Sequence, residues 1–380
     1  MKKILLLYAS YGTGHRSICN YINDYFKSSG KFVVKEIDLI KYSMPIIGNM
    51  SKKMFESLIL NHPYLWDLIY NTFDNKVNST VSNKISLKLF ENKRIKQEII
   101  DYNPDVVIST HFMGSSLISK YNKKEYIDTK LITIVTDYKA HNFWFTNAKS
   151  EDAIIVTSID EKINLILKGV QASKIKTYGM PIRKDYINNN YKPNVVRKKL
   201  NIKNENRTCL FYGGGGCGQS SSYLFLKELI ELDENLNIIF VAGKNEKLRR
   251  NVDALKENSG SKNLIVKGFI SNAPELLSIC DFVITKPGGV TVTECLYNHK
   301  PMVLLKTVGG QEKGNCNYLV RKGYAKSVKN PNQIKECVKN LIDNFSELDK
   351  MNKRIEKIED KKPMEKLFDL VCNMIGDANE

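Results

Sequence analysis

The feature that most constrains this chain is an alternation of short apolar runs with amphipathic stretches, played out twice, with glycine clusters where the runs end. Residues 3–8 form a compact apolar run, and residues 17–27 then place Ile18, Tyr21, Ile22, Tyr25 and Phe26 on one helical face. Residues 32–37, 104–109, 130–136, 153–156 and 175–178 read as further strands. A polar, Asn-rich stretch over 185–206 reads as a linker, after which the pattern restarts with strands at 208–212, 237–241, 264–267, 282–285 and 302–305. Alternating β and α elements imply parallel sheets with right-handed crossovers. The expected fold is therefore α/β, two doubly wound Rossmann-like domains facing across a cleft, with ligands at the C-terminal ends of the strands. The expected boundaries are 1–184, a linker at 185–206, a second domain at 207–345, and a helical segment at 346–380 packing back on the first domain.

A length of 380 residues suits two such cores. No apolar run approaches the ~18 residues of a membrane-spanning helix. The apolar N-terminal run stops at Ala9 and leads into Tyr11-Gly12-Thr13-Gly14-His15, which reads as a strand and loop rather than a signal peptide. The eight cysteines carry no C-x-x-C pair, pointing to a reducing cytoplasm and no structural metal. The net charge of +17 is shared by both halves, which argues against a dedicated nucleic-acid tail. It suits an anionic lipid surface, and it equally solvates a Lys- and Asn-rich protein.

Residues 41–76 interrupt the alternation with an insertion too long for an ordinary connection. It carries Phe55 and the helically spaced Trp66, Ile69, Tyr70 and Phe73, with Lys41, Lys52, Lys53 and Lys76 close by. Such a stripe fits an interfacial helix dipping into a leaflet, and it also fits a helix packed on the first domain's core. The basic residues Lys84, Lys88, Lys93, Arg94 and Lys96 follow directly and favour the leaflet.

Four loops carry the chemistry. The first strand empties into Ser10-Tyr11-Gly12-Thr13-Gly14-His15, where glycines permit close backbone approach and His15 is a candidate general base. The loop also matches part of a dinucleotide fingerprint, with Asp38 available as its acidic partner, but Ser17 stands where the third glycine belongs. The second loop, 213–218, follows a strand and precedes Ser220, so that backbone N–H groups such as those of Gly214 and Gly215 can wrap a diphosphate. The third is Lys286-Pro287-Gly288-Gly289-Val290-Thr291, with Glu294 placed for the two hydroxyls of a ribose. The fourth, from Gly309 to Asn315, offers Gln311, Glu312 and Asn315 to a polyhydroxylated ligand. Each loop alone could be structural; three at consecutive strand ends describe a nucleotide-sugar site.

Gly288-Gly289-x-Thr291-x-x-Glu294, followed by Gly310-Gln311-Glu312-x-Gly314-Asn315, resembles the donor signature of glycosyltransferase family 28. Ala9-Ser10-x-Gly12-x-Gly14-His15, Val135-Thr136-Asp137 with His141 and Trp144, and Gly179-x-Pro181-Ile182-Arg183 resemble the monogalactosyldiacylglycerol synthase branch, which includes bacterial diacylglycerol glucosyltransferases. The resemblance covers residues 3–345 and departs at Cys217, where a small residue is usual. It implies a GT-B fold and a metal-independent, cofactor-free, inverting transfer of a hexose from a UDP-sugar to diacylglycerol. The enzyme would be cytoplasmic, attached peripherally to the inner face of the membrane. Glu294 would hold the ribose, Gln311, Glu312 and Asn315 the sugar, and Phe269 and Ile270 the uracil. Gly14, His141 and Trp144 fall on the acceptor side, and Phe55, Trp66, Tyr70 and Phe73 in its membrane-binding insertion.

In that mechanism His15 takes the acceptor proton, and Asp137 orients it or replaces it. His111 and His141 lie near strand ends too, where a hydrogen-bonded structural role competes with a catalytic one. Rival readings are a UDP-N-acetylglucosamine epimerase, a peptidoglycan N-acetylglucosaminyltransferase, and a non-catalytic membrane-docked sensor of sugar nucleotides.

Overall fold

The computed structural model describes residues 1–10, 13–43, 72, 87, 91–187, 191–202, 206–214, 219–232, 236–305, 310–358 and 362–376, except the side chains of 219–221 and 345. The chain divides into two compact units: Met1–Ile182 with Gly309–Gly314 and Lys361–Glu380, and Arg183–Val308 with Asn315–Asp360.

The first unit is built on six strands, β1 (Lys2–Tyr8), β2 (Phe32–Asp38), β3 (Val106–Ser109), β4 (Lys130–Ile134), β5 (Ala153–Ile155) and β6 (Ile175–Lys176), in the order β2-β1-β3-β4-β5-β6. Ile4 to Leu7 are wholly buried, because a parallel sheet covered by helices on both faces needs a continuous apolar run. Helix α1 (Gly14–Ser28) buries Ile18, Cys19, Ile22 and Phe26. A short α2 (Leu39–Ser43) follows β2, and α3 (Lys93–Tyr102) starts at Asn92, whose side chain accepts from the Ile95 N–H, and stops at Asn103 in the left-handed region. Helix α4 (Phe112–Lys123) follows β3, and α5 (Ile159–Leu167), capped by Ser158, follows β5.

In the second unit α6 (Lys184–Ile187) and α7 (Pro193–Lys199) precede the sheet. The stretch 185–206 thus carries regular structure where sequence suggested only a linker. Val196 and Ile202 are buried, and Arg197 donates to the Ile279 carbonyl. Asn and Lys dominate the stretch, and its few apolar side chains find partners only in three dimensions. Strands β7 (Arg207–Tyr212), β8 (Leu236–Val241), β9 (Leu264–Lys267), β10 (Phe282–Thr285), β11 (Met302–Leu305) and β12 (Ala325–Val328) assemble in the order β12-β11-β10-β7-β8-β9. Counted from β7, this is the Rossmann order 3-2-1-4-5-6. Its helices are α8 (Gln219–Ile230), α9 (Glu246–Ser259), α10 (Ala273–Ile279), α11 (Gly289–Tyr297), α12 (Gln311–Arg321, whose first turn with Gln311 and Glu312 falls in the first unit), α13 (Asn332–Asp343) and α14 (Phe345–Glu356). The last helix, α15 (Pro363–Met374), belongs to the first unit, where Phe368 meets Phe26 and Phe32 edge-on with ring centroids 5.2 and 5.5 Å away.

Both sheets open with the same device. Asp105 accepts from the Lys3 N–H at 2.8 Å and Asp281 from the Thr208 N–H at 2.8 Å, tying β3 to β1 and β10 to β7. Strand order reverses between β1 and β3 in one unit and between β7 and β10 in the other. At such reversals the loops leave in opposite directions and open a crevice at the strand ends.

Candidate active site

In the first unit the crevice is lined from three adjacent strands. His15 lies in the first turn of α1, after β1; Thr110 and His111 follow β3; Thr136 and Asp137 follow β4. Nδ1 of His15 is 2.6 Å from the Thr110 carbonyl oxygen, while the Thr110 hydroxyl donates to the His15 carbonyl at 3.1 Å. A carbonyl only accepts, so Nδ1 carries the proton and Nε2 keeps its lone pair. The His111 ring stands edge-on to His15 with centroids 4.9 Å apart, and Trp144 lies 6.3 Å from each. The Trp144 indole donates to Asp137 at 3.3 Å, and Thr157 donates to the Asp137 carbonyl. His141 completes the group, 5.8 Å from Trp144 and 5.4 Å from Phe112. The structure therefore gathers His15, Asp137, His141 and Trp144, with Gly14 beside them at the start of α1. The group that orients His15 is the Thr110 carbonyl, which the sequence reading missed. Its only signal was a position directly after a central strand.

Desolvation holds all three histidines neutral. It pushes His15 down to about 4 and His141 to about 3, and His111 falls well below the usual histidine range. Unfolded, each binds a proton near pH 6.5, so below that pH the unfolded chain binds more protons and stability falls toward pH 4. The buried carboxyls Glu151, raised to about 8, and Glu161, raised to about 7, act in the opposite sense, losing stability as pH rises from 4.5. In His141→Gln, thermal unfolding between pH 6.5 and 4 should fall with a shallower slope than in the wild type. Parallel curves would mean that the histidine ring pays no desolvation cost.

In the second unit the crevice lies between the loops after β7 and β10. The backbone N–H groups of Gly213 and Gly214 both donate to the Val241 carbonyl at 3.0 Å. A Cβ at Gly213 would lie 2.0 Å from the Phe240 ring, and one at Gly214 would lie 1.9 Å from the Ala242 carbonyl oxygen. These two glycines are thus required by packing against β8, whatever the loop binds. Gly215 lies outside the described residues, and of Ser220 only its place in α8 is described.

Gly288 precedes α11 without a side-chain cap, and a Cβ there would meet nothing within 4 Å, so open space fronts the helix N-terminus. Gly289 begins α11, Thr291 is half-buried one turn in, and Glu294 is buried in the next turn. Asn315 is buried, and its amide donates to the Pro287 carbonyl at 3.1 Å, tying α12 to this loop. Gln311 and Glu312 are half-buried in the first turn of α12. Phe269, beyond the end of β9, is 65 % exposed with Lys244 5.1 Å from its ring centroid, and Ile270 beside it is half-buried. The insertion residues Phe55, Trp66, Tyr70 and Phe73 lie outside the described residues.

Known proteins bear the same stamp. Residues 15–182 match the monogalactosyldiacylglycerol (MGDG) synthase family, and residues 208–370 match the glycosyltransferase family 28 C-terminal domain. Curated relatives include a protein of Bacillus subtilis (strain 168) named processive diacylglycerol beta-glucosyltransferase, 28 % identical over 93 % of this chain and 91 % of its own. A Bacillus pumilus (strain SAFR-032) protein of the same name is 29 % identical over 94 % and 91 %. Among solved structures, Acinetobacter baumannii MurG superposes with a TM-score of 0.65 at 14 % identity, covering 98 % of this chain and all of the other. A Staphylococcus aureus MnaA–UDP structure gives 0.64 at 13 % identity, covering 100 % and 98 %. Two Rossmann-like units with glycine-rich loops at their strand ends define the GT-B fold. The chain belongs to glycosyltransferase family 28, in the branch that carries the MGDG synthase domain.

Proposed function

We propose that this enzyme moves a hexose from a UDP-sugar to the hydroxyl of diacylglycerol, with inversion, at the inner surface of the cytoplasmic membrane. The observation that carries this reading is the likeness, over more than nine-tenths of the chain, to proteins named processive diacylglycerol beta-glucosyltransferases. The geometry supports it. Gly288, Gly289 and Thr291 open α11, whose first-turn N–H groups and dipole suit a diphosphate, with Gly215 and Ser220 contributing after β7; Gly214 shapes that loop, its own N–H being given to the Val241 carbonyl. Glu294 holds the ribose hydroxyls, Phe269 and Ile270 the uracil, and Gln311 and Glu312 the sugar. Asn315 keeps the loop in place through Pro287.

The acceptor oxygen attacks the anomeric carbon opposite the diphosphate, the bond to UDP breaks, and the hydroxyl proton passes to Nε2 of His15. Asp137 acts through Trp144, and the rings of His141 and Trp144, with the Gly14 backbone, face the acceptor. Charge growing on the departing diphosphate is met by backbone donors, so no cation is required. Among the described residues no helix is long and apolar enough to cross a membrane. Attachment is then peripheral, through anionic lipid and the insertion carrying Phe55, Trp66, Tyr70 and Phe73, with no nucleic-acid partner.

Radiolabelled UDP-glucose, UDP-galactose and UDP-N-acetylglucosamine, each offered with diacylglycerol liposomes, decide the matter after lipid extraction. Label should enter the lipid fraction from UDP-glucose and persist in excess EDTA. No lipid label from any donor would refute the activity, and loss on EDTA restored by Mn²⁺ would refute the metal-free step.

A further inference from the structure

Helix α5 carries its apolar side chains on the wrong face for a soluble protein. Leu165 and Glu161 are buried against the first unit, whereas Ile159, Ile163, Ile166 and Leu167 are 57, 51, 39 and 83 % exposed. Spaced at i, i+4, i+7 and i+8, these four form one contiguous stripe on the side opposite Leu165. Single exposed apolar residues are ordinary, but four on one helical face leave a continuous patch that water disfavours.

The surroundings indicate what covers it. Lys162 lies on the helix and Lys168 directly after it, with its ammonium 4.7 Å from the Phe145 ring centroid. The acidic residue on the helix's first turn besides buried Glu161 is Asp160, where it complements the helix dipole. Lysines flanking an apolar stripe match a leaflet, in which acyl chains take the apolar side chains and anionic headgroups take the ammonium groups.

The buried face of the same helix is tied to the acceptor wall. Phe145 belongs to the same short turn, Asn142–Phe145, as Trp144 and packs against the cluster that holds Leu165, and buried Glu161 accepts a hydrogen bond from the Ala140 backbone next to His141.

We infer that the exposed face of α5, with Phe145, Lys162 and Lys168, is a docking surface for a lipid leaflet bearing anionic headgroups. It sets the acceptor wall of His141 and Trp144 against the membrane. This surface lies outside the 41–76 insertion in sequence, and the inference rests on the lipid-directed reading above.

The test uses the full chain and its I163E/L167E variant, with circular dichroism confirming that both melt alike; L167Q, at the most exposed position, serves if the double variant fails to fold. Sedimentation with vesicles of phosphatidylcholine and phosphatidylglycerol should show about 10- to 100-fold weaker partition of the variant. Wild-type binding should weaken in pure phosphatidylcholine and at high salt. Binding equal to the wild type by a folded variant would overturn the inference, as would a wild type that binds no vesicle. So would a variant that lowers the oligomeric state in light scattering while vesicle binding stays, since the stripe would then join copies of this chain. Sugar transfer to short-chain diacylglycerol in detergent micelles should be alike in both proteins. If neither transfers, the proposed activity falls, while the vesicle comparison still judges the surface.

Discussion

His15→Ala is expected to abolish sugar transfer while leaving UDP-sugar affinity nearly intact. The acceptor is an alcohol, a very weak acid and a poor nucleophile until its proton is withdrawn in the transition state. His15 is built to receive that proton. The Thr110 carbonyl at 2.6 Å fixes the Nδ1–H tautomer, which leaves the Nε2 lone pair available. Desolvation lowers the ring to about 4, so the base is unprotonated throughout the neutral range. A base needs its free form, so the rate should be flat near neutrality and fall only as pH drops toward 4. Removing a positioned base costs about 10²–10⁴ in kcat. The donor groups Glu294 and Gly288 belong to the other unit, so calorimetric affinity for the nucleotide should hold. A defect confined to kcat identifies an interaction made in the transition state alone. Asp137→Asn should lose less, because the Asp137 carboxylate accepts from the Trp144 indole and acts through that ring. Near-normal turnover of His15→Ala at pH 7 would pass the role to Asp137.

The second large effect falls on donor affinity. Glu294→Gln should weaken UDP binding by ~1.5–3 kcal/mol, because a neutral amide replaces the charged acceptor of two ribose hydroxyls. In affinity this is about 10- to 150-fold. Glu294 is buried in α11, and Gln has nearly the same shape, so the helix should survive. The Asn298 amide bonds the main-chain carbonyl of Glu294, which the substitution does not touch. Unchanged affinity in isothermal titration, with an unchanged melting temperature, would remove Glu294 from the donor site.

Much of this molecule is legible in sequence because of one physical necessity. A parallel strand covered on both faces must be apolar without interruption, as Ile4 to Leu7 are, and glycine clusters mark where such strands end, as at 213–216 and 288–289. These local requirements disclosed the two α/β halves, the loops at the strand ends, and His15 and Glu294 as candidates, while Asp137 came from the family resemblance. Other residues were legible only in part. Gly213 and Gly214 read as phosphate-wrapping glycines, yet the contacts that forbid a Cβ there come from Phe240 and Ala242 on the neighbouring strand. Asn315 reads as a sugar ligand, yet its amide donates to Pro287.

What tertiary structure alone decided is which distant residues share a crevice and which faces meet water. Strand order put β3 beside β1, so Thr110 became the partner of His15 from 95 residues away, and put β4 beside β3, so that Asp137 and Trp144 reached the same crevice. The same holds for α5. Its sequence gives Leu165 and Leu167 equal claim to a core, and only packing buries the first and leaves the second 83 % exposed. Apolar character and periodicity are properties of a segment and can be read along the chain. Proximity and exposure are properties of the assembled sheets, set by strand pairings that no local stretch encodes.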